Sequence, residues 1–203
     1  MNLSKNQIKF NWAIFFTAIY LFVGFSGNAQ TGGAVYEKGP AMKRAKLYPT
    51  SVLLNNGKIM SFGGREYNFV SGAYAELYDP VAKSFTEMPM NFPHDGFATV
   101  KLTDGRYFLI GGSHDLGVAP GYSSTEMYNP ATNTFDTKAS MTKARMQLGA
   151  AQLKNGKVLI AGAWYNPSGA QTGEIYDTSA NTFDATGNLN QSRANPIVIA
   201  TND

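Results

Sequence analysis

Two histidines, His94 and His114, and no cysteine set the limits on what this chain can do chemically. Without a thiol there is no cysteine nucleophile, and no Gly-x-Ser-x-Gly elbow supplies a serine one. No His-x-x-x-His pair or acidic loop has metal-ligand spacing, so neither a metal nor a cofactor is expected. Asp95, Asp115 and Glu66 could act as an acid/base pair, but spacing alone assigns none of them a catalytic role. A different set of residues is better suited to binding: Arg65, Tyr67, Phe69, His114, Asp115, Tyr122, Trp164, Tyr165 and Asn166. Aromatic rings beside hydrogen-bonding groups fit carbohydrate, whose C–H faces stack while its hydroxyls need partners, and they fit a protein surface equally well.

The elements that must position these residues are read from an internal repeat. The stretches NNGKIMSFGG…AELYDPVAKSF, TDGRYFLIGG…TEMYNPATNTF and KNGKVLIAGA…GEIYDTSANTF share one plan. Gly57, Gly105 and Gly156 are 48 and 51 residues apart; Tyr78, Tyr128 and Tyr176 are 50 and 48 apart, as are Phe85, Phe135 and Phe183. A period near 50 built from short strands is a propeller signature. Within each unit strand A covers residues 51–54, 97–102 or 148–153. Asn-Gly or Asp-Gly then tolerates the positive φ of a two-residue hairpin, making strands A and B antiparallel neighbours. Strand B, at 58–62, 106–110 and 157–161, is nearly continuously apolar and therefore buried on both faces. Strand C ends at Tyr78, Tyr128 or Tyr176, and strand D carries the phenylalanine. Met90, Met141 and Leu189 plug the loop to the next unit.

Paired glycines after a hydrophobic strand, then Glu-x-Tyr-Asp/Asn-Pro, then an aromatic residue seven positions on, resemble the kelch repeat of β-propellers. The likeness is to the bacterial, exported type and to the repeats of the galactose oxidase central domain, and it covers residues 46–189. Strand D here has phenylalanine where kelch repeats often have tryptophan, and the third unit has Gly162-Ala163 in place of two glycines. The resemblance implies an all-β, kelch-type propeller portion of three four-stranded antiparallel blades at 46–90, 94–141 and 145–189. A lone D strand at 34–45 and the first strand of a fourth blade at 193–203 flank them.

Lys46, His94 and Arg145 precede the turn glycines by eleven positions, and Arg193 continues the series, placing the next turn glycine just after Asp203. The chain therefore reads as the N-terminal portion of a longer propeller, with its remaining blades in a longer parent chain. These cations, and Glu76, Glu126 and Glu174, recur in every unit and so read as scaffold. Strand alternation puts the B-to-C and D-to-A loops on one face. The B-to-C loops vary in length and content, which makes that face the expected home of binding.

Residues 1–29 read as a secretory signal: Lys5 and Lys9, an apolar run from Trp12 to Phe25, then Gly27-x-Ala29. The run is shorter than the ~18 residues that span a bilayer, and cleavage leaves no membrane span. Location is then secreted, periplasmic or at the cell surface. Removing the two lysines takes the formal charge from +3 to +1, since no acidic residue precedes Glu37. No clustered basic face remains for nucleic acid. The function expected is an exported binding module for a glycan or a surface protein. The alternative is the N-terminal part of a sugar-modifying kelch enzyme, resembling periplasmic sialic acid epimerases or copper-radical oxidases. The galactose-oxidase type uses two histidines and two tyrosines, one crosslinked to cysteine, a crosslink this chain cannot form by itself.

Overall fold

The computed structural model describes residues 39–66, 71–114, 121–164 and 167–201, without the side chains of 167 and 168. It divides into a unit Met1–Ala41, described only from residue 39, and a unit Met42–Asp203, which holds everything below. The expected signal segment and the core of the lone D strand lie outside the described residues.

Three antiparallel sheets follow one another along the chain. The first runs β1 (Thr50–Leu53), β2 (Ile59–Phe62), β3 (Tyr74–Asp79), β4 (Ser84–Pro89); the second β5 (Ala98–Lys101), β6 (Tyr107–Ile110), β7 (Thr125–Asn129), β8 (Thr134–Lys138); the third β9 (Gly149–Gln152), β10 (Val158–Ala161), β11 (Gly173–Asp177), β12 (Thr182–Ala185). Among the described residues one four-residue helix, α1 (Pro167–Ala170), lies in the third B-to-C loop. Among the described residues no helix is long and apolar enough to cross a membrane.

Register follows the repeat. Tyr78 pairs with Phe85, Tyr128 with Phe135 and Tyr176 with Phe183. Because strand side chains alternate, each B strand serves two interfaces. Tyr107 and Leu109 point into the cluster shared with the first blade, beside Met60 and Phe62. Phe108 and Ile110 point into the cluster shared with the third, beside Val158 and Ile160. Phe62 meets Tyr128 edge-on at 5.4 Å, and Phe108 stacks on Tyr176 at 4.4 Å. Each such side chain buried contributes about 1.5–3 kcal/mol. The blades are therefore held face to face by strand B of one against the tyrosine and phenylalanine of the next. Met90 and Met141 are buried in these clusters as expected, and Leu189 is half-buried.

The A-to-B turns differ from the expected two-residue hairpin. Gly57 N–H donates to Leu54 O at 3.0 Å, and Leu54 N–H donates to Lys58 O at 2.8 Å, so three residues form the loop. The same bonds recur around Gly105 and Gly156. Only the glycine is left-handed, at φ 79, 89 and 81°. The preceding Asn56, Asp104 or Asn155 takes the N–H of the residue two positions on through its side-chain oxygen, an Asx turn that needs no positive φ.

The glycine pair after strand B has a specific role between blades. A Cβ on Gly63 or Gly111 would collide with the carbonyl of His94 or Arg145, and one on Gly162 would stand 2.7 Å from Arg193 O. The next residue then donates across the gap: Gly64 N–H to His94 O, Gly112 N–H to Arg145 O, Ala163 N–H to Arg193 O, at 2.8, 2.9 and 3.0 Å. Residues 194–201 thus reach the place expected of a fourth strand A, with Pro196 and Val198 against Gly149. They carry no strand among the described residues.

Candidate functional site

In the second and third blades the recurring cation and the recurring glutamate meet on the loop face. In the third blade Arg145, fully buried, donates from Nε and Nη2 to Glu174 Oε1 at 3.2 and 3.0 Å. Its Nη1 reaches the carbonyls of Gly162, Gly169 and Thr172 at 3.1, 2.6 and 2.9 Å, and Nη2 also reaches Thr172 Oγ1 at 2.8 Å. In the second blade His94 lies between Gly111 O, 2.6 Å from Nδ1, and Glu126 Oε1, 2.8 Å from Nε2. A carbonyl can only accept, so Nδ1 donates to Gly111 O, and Nε2 faces the Glu126 carboxyl. Each glutamate also holds the incoming D-to-A loop through its backbone: Lys43 and Arg44 N–H on Glu76, Asn91 N–H on Glu126, Thr142 and Lys143 N–H on Glu174. For the three glutamates, His94 and Arg145 the scaffold reading agrees with this geometry; Lys46 is not bonded to its glutamate.

On that support the predicted binding residues fall into two groups. Arg65 lies at the first and second blades, its N–H on Leu47 O at 3.0 Å and its guanidinium 5.3 Å over the ring of Tyr48. Asp95, fully buried, stands 3.9 Å from Arg65 Nε. His114 is exposed and joins this group through its carbonyl, which takes Ser71 N–H at 3.0 Å. The two histidines therefore do not form a pair, since one is enclosed in a clamp and the other faces solvent. Tyr122 and Trp164 form the second group around 145–146: Arg145 N–H donates to Tyr122 O at 3.0 Å, and Trp164 N–H donates to Met146 O at 2.8 Å. Trp164 is 38% exposed. Tyr67, Phe69, Asp115, Tyr165 and Asn166 lie outside the described residues.

Sequence reasoning missed Tyr48, an aromatic 68% exposed with φ 56°. Its signal was positional: Tyr48, Gly96, Gln147 and Asn195 each follow a recurring cation by two, and all four are left-handed. It also missed an ionisable cluster peculiar to the first blade. Arg44 binds Glu87 through Nε at 2.7 Å and Glu66 through Nη1 at 3.1 Å, and its guanidinium covers the Tyr74 ring at 4.4 Å. The Tyr74 hydroxyl donates to Glu66 at 2.6 Å. That bond and the Arg44 contact hold the Glu66 carboxyl below its usual range, while burial raises the Tyr74 hydroxyl. Glu87 is on β4, so the cluster lies toward the outer strands and not at the inner strand β1.

Comparison with known proteins agrees with this architecture. No family model matches the chain. It is 32% identical over 113 residues to mouse Kelch-like protein 28, covering 52% of this chain and 19% of that protein. Among solved structures it resembles YjhT (TM-score 0.59, 11% identity, 79% of this chain and 57% of that one). It also resembles a fungal alcohol oxidase of the AA5 family in complex with copper (TM-score 0.50, 15% identity, 78% and 47%). The chain thus spans less than two thirds of each. Three four-stranded antiparallel blades, joined by glycine-pair latches, make this chain a kelch-repeat β-propeller portion.

Proposed function

We propose that the chain is an exported binding module that takes a glycan or a surface protein on its B-to-C and D-to-A loops. The observation that carries this reading is Trp164. At the repeat position held by Arg65 and Ser113 in the other blades, the third blade offers a large, partly exposed ring whose backbone is fixed on Met146, next to the Arg145 clamp. A rigid aromatic of this kind gives stacking area at little entropic cost. Exposed Tyr48 beside Arg65 offers a second such place on the same face.

The chain has two tryptophans, Trp12 and Trp164, and only Trp164 remains once the predicted signal is removed. Its fluorescence therefore reports the rim directly. Titration with neutral oligosaccharides is expected to shift the emission, and Trp164→Ala, followed by calorimetry, is expected to weaken binding ~10-fold or more. Glycan or protein binding that is indifferent to both Trp164→Ala and Tyr48→Ala would refute the loop-rim reading.

A second reading, a sugar-modifying enzyme, draws on the ionisable cluster of Arg44, Lys46, Glu66, Tyr74 and Glu87. Catalysis at that cluster would show as turnover abolished by Tyr74→Phe and insensitive to Trp164→Ala.

A further inference from the structure

Lys46 occupies the clamp position of the first blade but does not act as a clamp. Among the described residues its Nζ makes one hydrogen bond, a long one of 3.5 Å to the Tyr74 carbonyl, and has no carboxylate within ion-pair reach. Arg145 makes the corresponding bond to the Thr172 carbonyl at 2.9 Å and binds its glutamate besides. The surrounding acids are already engaged: Glu76 by the N–H groups of Lys43 and Arg44, Glu66 by Tyr74 and Arg44, Glu87 by Arg44. What Nζ meets instead is the face of the Tyr74 ring, 4.6 Å from its centroid, with the Arg44 guanidinium over the same ring.

This arrangement is not part of the repeat. At the position of Tyr74 the other blades have Ser124 and Thr172, and opposite the recurring glutamate, where the first blade has Glu87, they have Thr137 and Ala185. We propose that Lys46 is a carbonyl-capturing amine, a site at which small aldehydes, open-chain reducing sugars among them, condense ahead of the other lysines. A half-buried amine beside a second cation, with no anion bonded to it, is an environment that favours a neutral, nucleophilic lysine; the Tyr74 ring face pulls the other way, toward the ammonium, and burial outweighs it. Burial outweighs the attraction of Glu76 and brings the amine down to about 8. Roughly a tenth of it is then neutral at pH 7, against about three parts in ten thousand for an ordinary lysine.

In the step proposed, the Nζ lone pair adds to the carbonyl carbon and the C–N bond forms. Nitrogen gives up both hydrogens, and the carbonyl oxygen leaves with them as water, so that an imine remains with no change in oxidation state. The inference stands apart from the loop-rim reading, since neither Trp164 nor Tyr48 takes part in it.

The full chain is incubated at pH 7 with glyceraldehyde and cyanoborohydride, which reduces the imine to a stable amine, and modification at each lysine is followed by peptide mapping. Lys46 is expected to react ~3-fold or more faster than exposed Lys83 and Lys154, and that lead should shrink at pH 9.5 as the other lysines lose their protons. Lys46→Arg should remove the fast site and leave the slow ones unchanged. A Lys46 rate less than ~3-fold above those of Lys83 and Lys154 at pH 7 overturns the proposal. The comparison is made within one folded protein, so it does not depend on any variant folding.

Discussion

Lys46 and Arg145 hold the same place in the repeat and use it in opposite ways. Arg145 is enclosed, and its guanidinium fork bonds a carboxylate and three carbonyls at once. Lys46 is half-buried, holds one carbonyl loosely and rests on an aromatic ring. The difference is chemical before it is positional. A planar fork with five donors can satisfy several acceptors in fixed directions, while a single ammonium at the end of a flexible stem cannot. A recurring charge can therefore be scaffold in one blade and a reactive group in another. The repeat supplies the position, and the neighbours decide what is done there.

The sharpest way to break the comparison is to remove the fork. Arg145→Met should cost about 3–5 kcal/mol, because it leaves Glu174, only 1% exposed, as a buried charge with no cation. The Gly162, Gly169 and Thr172 carbonyls lose a donor at the same time. Urea denaturation measures this, and a loss below about 1 kcal/mol would mean that the backbone N–H groups of Thr142 and Lys143 suffice for Glu174.

His94 stands between the two. Its ring is fully buried like Arg145, but it offers one bond to each of two acceptors. His94→Leu should accordingly cost less, about 2–4 kcal/mol, with Glu126 losing a partner while keeping Asn91 N–H and Nδ2. In the double variant with Glu126→Gln part of the loss should return, since the uncompensated carboxylate is gone. The same denaturation curves read both, and a double variant no more stable than the single one would show that the His94 pair contributes packing alone.

Much of this was legible in the sequence because the repeat places like residues at like distances. The turn glycines, the tyrosine–phenylalanine pairs and the cation and glutamate series could all be aligned without coordinates, and three sheets of four strands followed. What stayed hidden depends on residues meeting across the fold. Arg44, Glu66, Tyr74 and Glu87 belong to four different segments, and only the passage of the D-to-A loop over β3 and β4 brings them together. The turn type was hidden for a local reason: Asn-Gly and Asp-Gly serve both two-residue hairpins and three-residue Asx turns, and backbone hydrogen bonds decide between them. Ala163 shows what a departure from the repeat can signal. Gly64 and Gly112 are left-handed at φ 85 and 100°, whereas Ala163 is not, so the chain leaves the third latch by another route toward Trp164 and α1.

The smallest expected effect tests the other half of the comparison. Lys46→Met removes a half-buried charge that binds no carboxylate and keeps the apolar stem against Tyr74, so at pH 7 it should raise stability, by about 1–2 kcal/mol once partial exposure is allowed for. The pH dependence carries the sign. Burial holds the folded amine at about 8, below its ordinary value of 10.5. Between those two values the unfolded chain binds more protons than the folded one, so the Lys46 protein gains stability as pH rises through that window. Below about 8 both states are protonated, and the penalty for the buried charge is constant. Lys46→Met has no such proton to lose. The difference between the two proteins, measured at pH 7 and again at pH 9.5, should therefore move in favour of Lys46. Taking the difference cancels the titration of the tyrosines and the other lysines common to both. A difference that stays flat would place the Lys46 amine in water, and the contrast with Arg145 would then reduce to one of exposure.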